Sequence, residues 1–125
     1  MIRTLCSFIL ITALLACQQS KTVKVTDEQL KDLQESGVTV VDVRTAREYE
    51  AGHVPGVTLN IDFLSEDFLE KMRALNNEEP VVIYCAKGGR SGRASSMLEE
   101  AGFQVIYDYD GGFSDWKSKG NEIEK

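Results

Sequence analysis

Residues 81–91 read Val-Val-Ile-Tyr-Cys-Ala-Lys-Gly-Gly-Arg-Ser, and this stretch decides the fold. Its first four residues are apolar and three of them are β-branched, which is typical of a strand covered on both faces. The glycine-rich residues that follow lead into a helical pattern. In α/β sheets, such a loop lies beyond the carboxyl end of a strand, where ligands bind. We therefore expect Cys85 at the end of a buried, parallel strand.

Further strand-like segments flank this stretch, and helix-like segments separate them. The predicted strands are Val23–Val25, Val38–Val43, Val57–Ile61, Val81–Tyr84 and Val105–Tyr107. Strands that alternate with helices predict a three-layer α/β domain, with a parallel sheet of five strands and right-handed crossovers. A chain of 125 residues is long enough for one such core and too short for two.

The helix boundaries are predicted from capping residues. Thr26, with Gln29 three residues later, predicts the start of a first helix, and Gly37 predicts its end. The other predicted helices are Ala46–Ala51, a helix from a Ser65 cap to Pro80, a helix containing Ala94 to Ala101, and a last turn at Phe113–Lys117.

The loop after Cys85 has the composition of an anion-binding cradle. Gly88 and Gly89 allow the backbone to curl so that successive N–H groups point inward, and the following helix adds the positive end of its dipole. This field favours a thiolate, so we expect the pKa of Cys85 to fall from ~8.5 toward ~7 or below. Arg90 offers a planar group suited to an oxyanion, whereas Lys87 is expected as a mobile charge at the rim.

The charge of the whole chain limits its partners. The formal net charge is -6, which argues against binding nucleic acid by neutralising phosphates. Because Lys87 and Arg90 reverse this sign locally, we expect a small anionic substrate.

The first 16 residues are predicted to be a signal peptide. Arg3 is their only charge, and the apolar run from Leu5 to Leu15 is too short to span a bilayer comfortably. The residues before Cys17 resemble the bacterial lipobox, which implies lipid attachment at Cys17. We expect residues 17–25 to hold the lipidated cysteine, a tether and the start of the first strand, and residues 26–122 to form the domain. The resemblance implies an exported protein anchored in the cell envelope. Gln18, a residue other than Asp after the cysteine, resembles the pattern of lipoproteins sent to the outer membrane facing the periplasm in a Gram-negative cell.

The remaining chemistry-bearing residues are few. After cleavage, Cys85 is the one cysteine that is not acylated, so no internal disulfide is expected. His53 is the only histidine, and its turn favours a structural hydrogen bond over a Cys–His catalytic pair. We expect no metal and no cofactor, because one histidine and one free thiol cannot build a zinc site. Asp42 and Arg44 either form an ion pair or remain separately solvated.

Three motifs resemble those of the rhodanese family. They are residues 41–44 with Glu48 and residues 52–56, then residues 85–91, and finally residues 111–113 with Trp116. The resemblance extends from Asp27 to Lys119. It implies a five-stranded parallel sheet of order 3-2-4-5-1, flanked by helices.

The same resemblance implies roles for the residues of the loop. Cys85 matches the nucleophile that carries sulfur as a persulfide, and it is the predicted catalytic residue. The predicted substrate-binding residues are Ala86, Lys87, Gly88, Gly89, Arg90 and Ser91. Ala86 departs from the arginine that many relatives place after the cysteine, which weakens thiosulfate as the natural donor. Dual-specificity phosphatases on this fold have five residues between cysteine and arginine. The four found here favour sulfur transfer over phosphate ester hydrolysis.

We therefore expect a sulfurtransferase that takes a sulfane sulfur from a thiosulfate-like or persulfide donor and passes it to cyanide or a thiol. A redox protein is a further candidate partner. The alternative is a persulfide carrier or redox-sensing module with little turnover. A catalytically idle binding domain agrees less well with a retained thiol and cradle.

Overall fold

The structure is a computed structural model that describes residues 19–125. Its elements in chain order are β1 (Lys21–Lys24), α1 (Asp27–Glu35), β2 (Thr39–Asp42), α2 (Ala46–Ala51), β3 (Leu59–Asn60), α3 (Phe68–Arg73), β4 (Val81–Tyr84), α4 (Gly89–Glu100), β5 (Val105–Asp108) and α5 (Gly112–Ser118). The predicted signal peptide and Cys17 lie outside the described residues. Within residues 19–125, no helix has the length and apolar character needed to cross a bilayer.

The five strands form one sheet of order β1-β5-β4-β2-β3, and every pairing is parallel. This confirms the predicted fold and strand order. β3 is shorter than predicted, because this edge strand pairs with β2 only at Leu59 and Asn60. β4 lies at the centre of the sheet, and its four residues are all buried. The central position of β4 explains its continuous apolar sequence.

The first two helices begin where the sequence predicts. Thr26 and Thr45 each form a capping box, with Gln29 and Glu48 respectively. α2 also has the predicted bounds.

The prediction for α3 is wrong at both ends. Ser65 does not cap the helix, because its hydroxyl group donates to the Asp67 carboxylate, and the helix starts only at Phe68. The helix ends at Arg73, well before Pro80, because the Asn76 side chain accepts a hydrogen bond from the Glu78 amide and forms a turn there.

The sheet is buried on both faces, as a parallel sheet requires. On one face, α3 and α4 pack on residues that include Ile83, Cys85 and Ile106. On the other face, Leu30 of α1 and Trp116 of α5 pack on Val82 and Tyr84. The side chain of Cys85 therefore belongs to the layer between the sheet and α4.

Candidate active site

Cys85 follows β4 at the carboxyl edge of the sheet, and its side chain is only 1% exposed. The Gly88 amide donates to the Cys85 Sγ atom at 3.1 Å, and the Ser91 amide donates to it at 3.4 Å. The Ser91 Oγ atom lies 3.7 Å from the same sulfur. The sulfur thus faces a set of hydrogen-bond donors that favours a negative charge.

The pKa of Cys85 reflects two opposing effects. Burial alone raises the pKa of the thiol, because a charge is poorly solvated there. Hydrogen bonds from the amide and hydroxyl of Ser91 and from the amides of Lys87 and Gly88 outweigh burial, so the pKa of Cys85 lies below its ordinary value. The direction agrees with the thiolate that the sequence predicts.

Gly88 gives the loop its curvature. It has a φ of 94°, and a Cβ atom there would come within 2.5 Å of the Asp110 carbonyl oxygen. Gly89 does not share this role, contrary to the sequence-based expectation. It is the first residue of α4, and a Cβ atom there would meet nothing within 4 Å.

The start of α5 holds the loop from the other side. The Phe113 amide donates to the Cys85 carbonyl oxygen at 2.9 Å, and the Ser114 amide donates to that of Ala86 at 3.0 Å. Gly112 permits this approach, because a Cβ atom there would lie 2.6 Å from the Cys85 carbonyl oxygen. These bonds direct the carbonyl groups of the loop toward α5, which leaves its N–H groups free to face the sulfur.

The guanidinium group of Arg90 is held by Glu48 of α2. Arg90 Nη1 and Nη2 donate to the two Glu48 carboxylate oxygens at 2.6 and 2.9 Å. Arg90 lowers the pKa of Glu48 to about 2 through these hydrogen bonds, and burial opposes the shift. The structure therefore corrects the expectation that the planar group of Arg90 is open to an oxyanion. Its charge still acts on Cys85 through space.

An open pocket of about 540 Å³ lies above the sulfur, and it is lined by Cys85, Ala86, Lys87, Gly89, Arg90 and Arg93. Four of the six predicted substrate-binding residues therefore line the pocket, while Gly88 and Ser91 contact the sulfur beneath it. The Arg93 guanidinium lies 5.3 Å from the centroid of the Phe63 ring. Among residues 19–125, Lys87 and Arg93 form no ion pair, so their charges are available to an anion in the pocket.

Asp42 and Arg44 form a buried ion pair, which decides the alternative that the sequence leaves open. Arg44 Nη2 lies 2.7 Å from Asp42 Oδ2 and also donates to the Gly52 carbonyl oxygen at 2.7 Å. The Tyr84 hydroxyl group donates to Asp42 at 2.7 Å. This network fixes the chain beyond β2, from which Glu48 reaches Arg90.

His53 has the structural role that its turn predicts. Its Nδ1 atom lies 2.9 Å from the Tyr49 carbonyl oxygen, and its ring stacks on the Tyr49 ring with centroids 3.8 Å apart. Its backbone forms a bridge with Glu124. Within the described part of the chain, no group of three or more His, Cys, Asp and Glu residues could hold a metal ion.

Sequence reasoning missed two contacts of the site. It placed Glu48 in a motif without a partner, and it named Ser91 as a substrate-binding residue without considering that its hydroxyl group lies near the sulfur. The spacing of Thr45 and Glu48 indicates a capping box, but this local role does not require a further partner for Glu48. The pairing with Arg90 joins residues 42 positions apart, which no local pattern encodes.

Fold and site together define an α/β domain that holds a reactive cysteine in an amide cradle at the carboxyl edge of its sheet. The model of the rhodanese-like domain family matches residues 26–119, so the chain belongs to the rhodanese-like domain family.

Similar proteins agree with this assignment. The thiosulfate sulfurtransferase GlpE of Pseudomonas paraeruginosa is 33% identical over 95 residues, which cover 76% of this chain and 84% of the relative. GlpE of Pseudoalteromonas translucida is 33% identical over 96 residues, covering 76% and 88%. The structure of the human single-domain sulfurtransferase TSTD1 superposes with a TM-score of 0.63 at 25% identity, covering 77% of this chain and 96% of that one. These relatives support a sulfurtransferase of the rhodanese type.

Proposed function

We propose that this protein is a sulfurtransferase in which the Cys85 thiolate accepts a sulfane sulfur from a small anionic donor, thiosulfate or a persulfide. The sulfur is held as a Cys85 persulfide and then passes to cyanide or a thiol. The observation that carries this proposal is the buried Cys85 sulfur, bound by the amides of Gly88 and Ser91 beneath a pocket with cations at its rim.

Each step exchanges one bond between sulfur atoms for another bond to sulfur. The Cys85 thiolate attacks the outer sulfur of thiosulfate, the S–S bond of the donor breaks, and sulfite leaves with the bonding electron pair. An acceptor thiolate or cyanide then attacks the terminal sulfur of the persulfide, and Cys85 leaves as a thiolate. Because nucleophiles and leaving groups are already anionic, the site needs no general base, and the cradle stabilises the anion in both states.

The sequence of the loop limits what the donor can be. Ala86 supplies no charge beside the sulfur, and Arg90 is engaged by Glu48, so Lys87 and Arg93 are the cations available to a donor. A donor with its negative charge some distance from the reacting sulfur fits this arrangement better than thiosulfate does. We therefore include organic persulfides in the proposed donor class.

The decisive test is mass spectrometry of the purified protein after incubation with thiosulfate or a low-molecular-weight persulfide. The peptide that contains Cys85 should gain one sulfur atom, and cyanide or a thiol should remove it. Cys85→Ser should gain no sulfur and should form no thiocyanate. Unchanged thiocyanate formation by Cys85→Ser would refute the proposed nucleophile.

A second candidate function is a persulfide carrier or redox-sensing module with little turnover, which passes sulfur to a partner protein. The lack of a cation at Ala86 and the pairing of Arg90 with Glu48 favour it, because both weaken the binding of a small donor. Steady-state rates with several donors separate the two functions. A carrier should form the persulfide in a single turnover and release it slowly to every small acceptor.

We also propose that the chain is exported and anchored by lipid at Cys17. The charge pattern of residues 1–16 and the lipobox-like residues before Cys17 support this proposal. Mass spectrometry of the N-terminal peptide from a membrane fraction is the test. A soluble protein with an unmodified N-terminus, or an unchanged distribution in Cys17→Ala, would contradict it.

A further inference from the structure

Asp108 is a buried carboxyl group beside the active site that the proposed sulfur transfer does not use. It is the last residue of β5 and is 2% exposed. Because side chains alternate along a strand, Asp108 shares the sheet face of Ile106, which packs in the same layer as Cys85. Asp108 pairs in register with Ile83 on β4, two residues before Cys85. The carboxyl group therefore lies one strand away from the sulfur, on the same face.

The hydrogen bonding of Asp108 is incomplete. Among residues 19–125, its Oδ1 atom is the one buried side-chain nitrogen or oxygen without a hydrogen-bond partner. Ionising a carboxyl group in such a place is costly, since one oxygen has neither a donor nor solvent. Native proteins rarely keep an unsatisfied buried oxygen without a structural or functional reason.

The polar and charged neighbours of Asp108 come from three elements. Ser91 of α4 contacts it through its hydroxyl group, Lys24 lies opposite it on β1, and Asp110 follows β5. From β4 it faces the apolar Ile83. Lys24 is 74% exposed and pairs with Asp110 at 3.5 Å, so it does not neutralise Asp108. Burial raises the pKa of Asp108, Ser91 and Lys24 lower it, and Asp110 raises it further.

The Ser91 hydroxyl group interacts with both the Asp108 carboxyl group and the Cys85 sulfur. Its Oγ atom is 3.7 Å from the Cys85 sulfur, and the same side chain interacts with Asp108. A hydroxyl group has one proton to donate. In the structure the Ser91 hydroxyl group donates to the Gly88 carbonyl oxygen at 3.3 Å, so that carbonyl, Asp108 and the Cys85 sulfur compete for one proton. An ionised Asp108 is a charged competitor and draws the proton away from the sulfur. A protonated Asp108 can donate to Oγ instead, which frees the hydroxyl proton for an anion at Cys85.

We propose that Asp108 is a positioning residue that acts through the Ser91 hydroxyl group, so that a carboxylate at Asp108 and an anion at Cys85 oppose one another. Asp108 thereby governs the pH dependence of the nucleophile. The inference rests on the proposed role of Cys85, but it is testable with thiol chemistry that needs no sulfur donor, so its failure is distinguishable from failure of sulfur transfer.

The test measures the rate at which iodoacetamide alkylates Cys85 between pH 4 and pH 9. The full chain is used, and peptide mass spectrometry separates Cys85 from Cys6 and Cys17. The wild-type profile should show a shoulder, because two coupled groups titrate. Asp108→Asn should remove the shoulder and raise the rate at pH 6 by about three- to tenfold. Below its pKa, the thiolate fraction of a thiol changes tenfold for each pH unit by which its titration moves.

A double-mutant cycle tests whether Asp108 acts through Ser91. Ser91→Ala should slow alkylation, and adding Asp108→Asn to it should give little of the acceleration seen in the wild type. Asp110→Asn removes an equal charge that is paired with Lys24 at the surface, and this control should keep the shoulder. An unchanged profile in Asp108→Asn, or full acceleration in the Ser91→Ala background, would overturn the inference. If Asp108→Asn fails to fold, the pH profile of Ser91→Ala is the test. Loss of the shoulder in this variant supports the inference, and persistence of the shoulder overturns it.

Discussion

At the scale of single residues, the reactivity of Cys85 depends on backbone geometry more than on nearby charged side chains. Its amide donors are placed by Gly88, whose φ of 94° other residues rarely adopt. The carbonyl groups that would otherwise face the sulfur are bound by the amides of α5. Changes to one glycine should therefore affect stability and thiol chemistry together.

Gly88→Ala is expected to lower the free energy of unfolding by about 1–3 kcal/mol, because it adds strain at a left-handed residue. The added Cβ atom also meets the Asp110 carbonyl oxygen at 2.5 Å, so the loop must shift and the alkylation rate of Cys85 should fall. Gly92→Ala is the matched control. Its Cβ atom meets nothing within 4 Å, and in the interior of α4 it should stabilise by up to about 1 kcal/mol. Urea denaturation checks both values, and equal effects of the two variants would contradict the argument.

At the scale of elements, α2 and α4 are joined by the ion pair of Glu48 with Arg90. Glu48 also completes the capping box of α2, so one carboxylate caps the start of α2 and binds Arg90 of α4. The loop between β4 and α4 therefore depends on a helix that follows β2. This explains why the first motif of the sequence, remote from Cys85 in the chain, belongs to the site.

Glu48→Gln is expected to lower the free energy of unfolding at pH 7 by about 0.5–1 kcal/mol, since the carboxylate is 35% exposed and partly screened. The pKa of Glu48 is lowered from 4.5 to about 2 in the folded protein. The stability that the ionised Glu48 carboxylate contributes is therefore fully present above pH 4.5 and is lost as the pH falls toward 2. Urea denaturation at pH 7, 5 and 3 should show wild type and variant converging. Glu50→Gln, an exposed neutralisation on the same helix, should show no such convergence, and a constant difference for Glu48→Gln would contradict this account.

At the scale of the whole molecule, the buried pair of Asp42 and Arg44 connects four parts of the fold. Asp42 ends β2, Tyr84 of β4 donates to it, and Arg44 reaches the Gly52 carbonyl oxygen after α2. The Arg44 guanidinium also lies 4.3 Å from the centroid of the Phe113 ring of α5. The network supports both the sheet edge and the helix that holds the active-site loop.

Arg44→Met is expected to lower the free energy of unfolding by about 3–5 kcal/mol, because it leaves the Asp42 carboxylate buried without its partner. The double variant Asp42→Asn with Arg44→Met should recover part of this loss, because no uncompensated charge remains. Thermal denaturation of the wild type, Arg44→Met and the double variant should show stability in the order wild type, double variant, Arg44→Met. A double variant that is less stable than Arg44→Met alone would show that packing, and not the buried charge, dominates.

The sequence by itself determined the number of strands, the cap of α1, the bounds of α2, and the place of Cys85 at a strand end. These features follow from local periodicity and short-range hydrogen bonds, which adjacent residues encode. The bounds of α3 were not determined in this way, because Ser65 and Asn76 bond to neighbours other than those that a helix requires.

Only the tertiary structure decided that Arg90 binds Glu48, that Asp42 and Arg44 are buried together, and that Asp108 is buried near Cys85. The alternation of side chains along β5 predicts that Asp108 points inward. No local sequence pattern identifies Ser91 as its neighbour. Each of these contacts depends on burial or on side chains brought together by the sheet. The energy of a charged group is set by the neighbours and the solvent around it, and the packed fold alone supplies both.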